Sequence, residues 1–540
     1  MFKYFKSNKK AFIILCVFLP LSVFIDVALA SLLEKITDYG SVGNIQGLKT
    51  MMYVSLAYLP LSGVADFYYR YSMVNVLSSA SDKLRKDIYA KIFSNDISYN
   101  KLDSSQHIST ITNDVSDLES YYFKNICFFF HEFFYFSTSI FLLLNINIEI
   151  TLTILVFAFF QLIVPIFFEK KVQNTQTEIV DIRATYIFVL KEHLENFNII
   201  KLYRKGKFFN HKHEEASENW KSKLVEIEKI KKLMYEISFL AANGMYLGTV
   251  IIGFYLVYLN KMTIGQVIAA SQLMAYVSRP LLSVNEIIAS NQSAKPIKKK
   301  LEEILDTNVS SKNKEDLNDE IKSISFKNLS FSYDNKTILK HSNVEFDKGK
   351  KYLIIGESGS GKSTIFKLLQ GQLTEYEGKI LVNNTDLRDI NLDSYYKKIG
   401  FCPQINRLFS TSIRENILLG DPKTYDQDLE QIIQNLDLET LEGKRDANNE
   451  LSIGQKQRVN IARILYHDFE YLCYDEVTAS IDYKNRKQIE NLLLNTDKTI
   501  LYITHNYNRD LIEFFDHILY VNQGEVSFLD KNDLPNINIG

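Results

Sequence analysis

The sequence predicts a multidomain membrane protein: an all-helical domain of six spans over residues 1–300, a linker over 301–321, and an α/β phosphate-loop domain over 322–540. Three observations carry this. Six apolar stretches, each long enough to cross about 30 Å of hydrocarbon, fall within the first 290 residues. A polar run, "DTNVSSKNKEDLNDE", then ends the apolar pattern. Beyond it, "IIGESGSGKST" (Ile354 to Thr364) reads as a buried strand, a glycine-rich turn and the start of a helix.

The apolar stretches are Ala11–Leu33, Met51–Val74, Tyr121–Leu144, Ile150–Phe168, Ile237–Leu259 and Ile264–Ile287, with polar residues interrupting the second and the sixth. Loops are short after the first, third and fifth, and long after the second (75–120) and fourth (169–236). The long loops carry Lys83, Arg85, Lys86, Lys91, Lys170, Lys171, Arg204 and Lys205, and the N-terminal "MFKYFKSNKK" has four lysines, whereas "NINIE" between the third and fourth spans has none. This asymmetry predicts that both termini and both long loops are cytoplasmic. "SVFIDVALAS" ends in an Ala-x-Ala pattern that can also be read as a signal-peptide cleavage site. Cleavage would leave five spans and place the basic loops and the phosphate loop on opposite sides, so a retained span is the preferred reading. The ionisable Asp26, Asp66, Arg70, Glu132, Arg279 and Glu286 lie in or near the spans, where such groups face a cavity or pair between helices.

Composition narrows the classes further. A formal net charge of −2 over 540 residues, without a basic stripe interleaved with aromatics, argues against a nucleic-acid partner. Cys16, Cys127, Cys402 and Cys473 have no metal-ligand spacing and read as small buried hydrophobes in a reducing setting. Abundant Lys, Asn, Ile and Phe suggest an AT-rich bacterial genome, hence a bacterial cytoplasmic membrane.

In the second half, Gly356, Glu357, Ser358, Gly359, Ser360, Gly361, Lys362, Ser363 and Thr364 match G-x-x-x-x-G-K-[ST]. Glycines turn backbone N–H groups toward phosphate oxygens, and the helix that follows offers its positive dipole end. Lys362 is placed to reach the β- and γ-phosphates, and the Ser363 hydroxyl to ligate Mg²⁺. "YLCYDE" is a buried strand that delivers Asp475 and Glu476 at its C-terminal end, the edge where open α/β sheets bind ligands. Asp475 is suited to the Mg²⁺ shell, and Glu476 to acting as general base toward the attacking water.

Between these lies "LSIGQKQRVNIAR", Leu451 to Arg463. Taken together, the pieces resemble ABC transporters: the nucleotide-binding domain from about residue 322 onward and, by span count, the membrane half of an exporter before it. The resemblance implies an exporter-type half-transporter, with an ABC exporter membrane domain followed by an ABC ATPase domain. It implies that Tyr333 in "FSYDNKTIL" stacks on adenine, and that Gln404 in "FCPQ" touches Mg²⁺ and water. Leu451, Ser452, Gly454 and Gln455 would form the signature that closes on the γ-phosphate of a second copy. Asp482 in "ASID" would lie at the dimer seam, and His505 in "YITH" would be the switch histidine. Ile453 departs from the family's glycine, and "LEGKRDANNELS" replaces a longer acidic segment. Ser105 to Tyr122 and Leu190 to Gly206 resemble the two intracellular loops, the second with a short transverse helix. The implied function is ATP-driven export by a dimer, homodimeric by preference and heterodimeric as the alternative. A peptide is the favoured cargo, then a lipid or drug, since a cavity lined by Phe, Tyr and scattered charge suits an amphipath. No cysteine-protease segment precedes the first span, so a peptide's leader would be removed elsewhere. A membrane regulator that moves no cargo is the reading from another class.

Overall fold

The computed structural model describes residues 1–94, 104–306, 314–333, 336–404, 407–421, 427–481, 483–505 and 508–531. Contacts divide these into a helical unit ending at residue 306 and an α/β unit beginning at residue 314.

The helical unit is built on six long helices: α1 (Lys9–Ser41), α2 (Ile45–Ser94), α3 (Gln106–Ile146), α4 (Ile148–Glu195), α6 (Gly206–Tyr258) and α7 (Ile264–Asp306), with the short α5 (Phe197–Leu202) between α4 and α6. All but α2 are long and apolar enough to cross a membrane. α2 has 50 residues but carries Asp66 and Arg70, ion-paired one turn apart at 2.7 Å. At about 1.5 Å per residue, helices of 48 to 53 residues greatly exceed the hydrocarbon thickness. Among the described residues the predicted long loops are therefore helical continuations of the spans, together with the short helix expected after Leu190. α1 likewise runs through the Ala-x-Ala pattern to Ser41.

Sidedness along α3 shows what solvent the unit is made for. Cys127, Glu132, Tyr135, Ser139 and Leu143 are buried, whereas Phe129, Phe130, Phe133, Phe141 and Leu144 are exposed. Polar groups inside and phenylalanines outside is the arrangement a bilayer selects. α7 packs against α1, α3, α4 and α6 through Val267, Ala270, Leu273, Met274 and Val277, the centre of this unit's core. Asp38 ties α1 to the start of α7, accepting from the Gly265 backbone at 2.9 Å and from the Thr263 hydroxyl at 2.8 Å.

The α/β unit has two sheets. β1 (Ser323–Tyr333), β2 (Lys336–Asp347), β4 (Glu377–Val382) and β5 (Thr385–Asp386) form an antiparallel sheet in the order β2-β1-β4-β5. β3 (Lys351–Gly356), β6 (Ile399–Cys402), β7 (Tyr471–Asp475), β8 (Thr499–Ile503), β9 (His517–Asn522) and β10 (Glu525–Leu529) form the second, in the order β10-β9-β3-β8-β7-β6. That sheet is parallel except for the β9–β10 hairpin. Its residues alternate between two cores. Tyr352, Ile354, Tyr471, Cys473, Leu501 and Ile503 face one side, with β1, β2 and the helix α8 (Lys362–Leu369). Leu353, Ile355, Leu472, Tyr474, Ile500 and Tyr502 face the other, with α9 (Ile413–Leu418), α10 (Gln427–Asn435) and α11 (Ile453–Tyr466). Both faces are covered, as a parallel sheet requires.

Candidate functional site

The site is built at the C-terminal edge of the parallel sheet. β3 ends at Gly356, where a Cβ would run into the Val521 carbonyl, and the turn closes at Gly361 with φ 110°. At Gly361 a Cβ would also approach Ile338 to 2.8 Å, so only glycine permits this close return of the chain. α8 starts at the next residue. Lys362 is 5% exposed, and its ammonium donates to the Gly356 and Glu357 carbonyls at 2.8 and 2.7 Å. Burial pushes its pKa down, opposed by the nearby charges of Glu476 and Asp475. A cation held at the mouth of a ring of backbone turns is an anion site.

β7 delivers the two acids. Asp475 is buried, which raises its pKa, while a hydrogen bond with Ser363 pulls the other way. Its Oδ1 has no hydrogen-bond partner although it is buried. Such an oxygen is costly unless something fills the position. A hard cation shared with the Ser363 hydroxyl fits that donor set. No group of three or more His, Cys, Asp or Glu side chains suited to a metal occurs among the described residues, so any Mg²⁺ here would depend on hydroxyl and phosphate oxygens as well.

Glu476 stands just beyond the strand in a left-handed conformation, φ 50°. The turn aims its carboxylate between two groups: Gln404 donates its amide N–H to Oε2 at 2.7 Å, and His505 Nε2 lies 3.0 Å from Oε1. Residues 404, 476 and 505 are thus gathered at the ends of β6, β7 and β8. Tyr333 ends β1, 40% exposed, with its ring edge-on to Phe331 at 4.9 Å. Asp482 lies outside the described residues.

The signature residues start α11. Ser452 caps the helix reciprocally with Gln455, and Leu451 is buried beneath. Gly454 lies so close to the Ser480 carbonyl that a Cβ would come within 2.8 Å of it. Ile453, in the first turn, is 66% exposed. The residue that sequence reasoning missed is Gln457. It is buried on α11, donates to the Glu476 carbonyl at 3.1 Å and accepts from the Ser480 N–H at 3.2 Å. The signal was available: Gln457 shares a helical stripe with Ile461 and Ile464, and an amide on a buried stripe must have partners. Cys127, Cys402 and Cys473 are buried as expected, burial raising the Cys402 thiol to about 12, whereas Cys16 is exposed, against the expectation that all four are buried.

A strand, a phosphate turn and two acids on one sheet edge, with an all-helical membrane unit on the same chain, match two family profiles. The profile for the ABC transporter transmembrane region covers residues 12–281, and that for the ABC transporter covers 339–479. The chain belongs to the ABC transporter family. A putative export ATP-binding/permease protein of Rickettsia typhi is 26% identical over 97% of this chain and 94% of its own length. A lactococcin-A transport/processing ATP-binding protein of Lactococcus lactis is 30% identical over 51% of this chain and 40% of its own. Among solved structures, a bacterial Atm1-family ABC exporter with ATP bound shares the fold at a TM-score of 0.82, with 18% identity over 97% of this chain and 96% of that one. This ABC transporter is an exporter-type half-transporter, a multi-pass membrane protein that binds ATP and couples its hydrolysis to export.

Proposed function

We propose that two copies of this chain form the working exporter, moving an amphipathic cargo, preferably a peptide, out of the cytoplasm by alternating access. The observation that carries the dimer is the division of the α/β unit: α8, behind the phosphate loop, and α11, behind the signature, pack on opposite faces of one sheet. The two halves of an ATP site then come from different chains. In the resulting sandwich Lys362 leaves its loop carbonyls for β- and γ-phosphate oxygens, backbone N–H groups of Gly359 to Thr364 hold the phosphates, and Tyr333 packs on the adenine. Ser452 and Gly454 of the second chain complete the γ-phosphate shell, with Leu451 and Gln455 holding that loop in shape.

Glu476 accepts a proton from the attacking water. Gln404 and His505 keep its carboxylate aimed, and Gln457 ties that geometry to the signature helix. Ser363, Asp475 and Gln404 are the residues that would hold Mg²⁺, Asp475 through its unpartnered oxygen. Bound there, Mg²⁺ supplies neutralising charge to the phosphate oxygens. Loss of the γ-phosphate contacts then releases the two lobes, so closure is a ligand-driven two-state element. The lysines and arginines of the long loops and the N-terminus support a bacterial cytoplasmic position for these lobes, both termini and both long loops.

The test is ATP-dependent flux of candidate cargos into proteoliposomes. Wild-type chain alone should transport, while Glu476→Gln should bind ATP with its hydrolysis reduced by roughly 10²–10⁴-fold and its flux abolished. Flux that needs a second, different half-transporter would replace the homodimer by a heterodimer, which the departure at Ile453 would allow. Nucleotide-dependent binding of a partner without flux of any cargo would replace export by regulation.

A further inference from the structure

The helical unit contains a cluster that the nucleotide chemistry does not use, where α1, α2, α3 and α7 contribute side chains. Glu132 on α3 is 2% exposed; its Oε1 accepts from Arg279 on α7 at 2.8 Å, and its Oε2 is buried without a partner. The Arg279 guanidinium lies 5.1 Å from the ring centroid of Tyr135. Tyr135 donates its hydroxyl to Asp26 on α1 at 2.6 Å and stacks on Tyr276 at 5.1 Å. The Asp38–Gly265 bond sets a common level for α1 and α7. From it, Asp26 and Arg279 lie about 18 and 21 Å along their helices at 1.5 Å per residue, well inside the hydrocarbon.

The charges in this region do not cancel. Arg70 is engaged by Asp66 at 2.7 Å and Arg279 by Glu132 at 2.8 Å. The remaining titratable neighbour, His131, has Nδ1 3.7 Å from Glu132 and stacks on Tyr69. Asp26 has the Tyr135 hydroxyl, and among the described residues no cation lies within ion-pair distance of it. A hydroxyl stabilises a carboxylate without neutralising it, and an unneutralised carboxylate at this depth is costly. It lies against Tyr135, on whose ring Tyr276 stacks. A carboxylate beside stacked aromatic rings at low polarity is chemistry suited to a weakly hydrated organic cation.

We infer that Asp26, with Tyr135 and Tyr276, forms a subsite for the cationic group of a lipophilic cargo. The inference rests on the export reading for the direction of movement, and on geometry alone for binding. The ion pair between buried Glu132 and exposed Arg279 acts as the subsite's wall: it holds Arg279 over Tyr135, leaving the Asp26 charge for the cargo.

Tetraphenylphosphonium and tetraphenylborate are nearly identical in shape and opposite in charge, so they separate this proposal from simple hydrophobic uptake. Equilibrium binding of each to the full-length chain in lipid nanodiscs, corrected with empty nanodiscs, is the measurement. The phosphonium should bind saturably and the borate should not. Asp26→Asn should weaken phosphonium binding at least about tenfold, the scale of one close charge pair, and Tyr135→Phe should weaken it less. Equal binding of the two probes by the wild-type chain, which requires no variant to fold, would overturn the subsite, as would undiminished phosphonium affinity in Asp26→Asn. Phosphonium binding without ATP-driven phosphonium flux would retain the subsite and remove the export reading. Flux of other cargos with no phosphonium binding would do the reverse.

Discussion

Asp475 shows how a single side chain can serve function against stability. Burial raises its pKa, so the folded chain holds a proton there more readily than the unfolded chain does. The sign follows: above the folded pKa the ionised carboxylate detracts from stability, and below the ordinary aspartate range that cost is absent. Asp475→Asn should therefore unfold at a higher temperature than the wild type in chelator at neutral pH, while losing Mg²⁺-dependent hydrolysis. A calorimetric midpoint below the wild type's under those conditions would contradict the assignment of that buried oxygen to a cation. Glu476 is the complementary case. Its left-handed backbone is an uncommon conformation for a non-glycine residue, and it aims the carboxylate at Gln404 and His505 rather than along the strand.

Elements were legible where their cause is local. β3, the phosphate turn and α8 follow from an apolar run, glycines that no other residue can replace, and a helix-forming stretch, all within a few residues. The spans were legible as lipid-facing length, but hydropathy marks the bilayer and not the end of a helix. α4 and α6 continue far past their apolar stretches because their Lys, Glu and Gln residues are good helix formers in water. Contacts between distant residues were not legible: Asp26 and Tyr135 are 109 positions apart, and nothing in either span names the other. The Asp38 cap is of the same kind. It joins positions 38 and 265, and a Cβ at Gly265 would strike the Glu34 carbonyl, so the bond operates only because α1 and α7 approach so closely there. Asp38→Ala should lower the stability of the helical unit by about 1 kcal/mol, the usual contribution of a helix cap, measured by reversible unfolding in detergent. An unchanged midpoint would mean that the apolar packing of α7 holds that end unaided.

For the whole molecule, the central claim is that the two faces of one sheet divide the ATP site between two chains. Ser358 in the phosphate loop and Ile453 in the signature are both exposed, and the helices that follow them pack into different cores. Within one chain the helices behind them pack on opposite faces of the sheet; in the proposed closed sandwich, two chains would bring them together. The direct measurement uses Glu476→Gln, to retain ATP, with Ser358→Cys and Ile453→Cys placed in a background whose four native cysteines are replaced. The chain is reconstituted in lipid and oxidised with and without Mg²⁺ and ATP, then resolved by non-reducing electrophoresis. The account predicts a disulfide-linked dimer that forms rapidly only with Mg²⁺ and ATP and disappears when either cysteine is omitted. A disulfide within one chain, or a dimer yield indifferent to nucleotide, would contradict it.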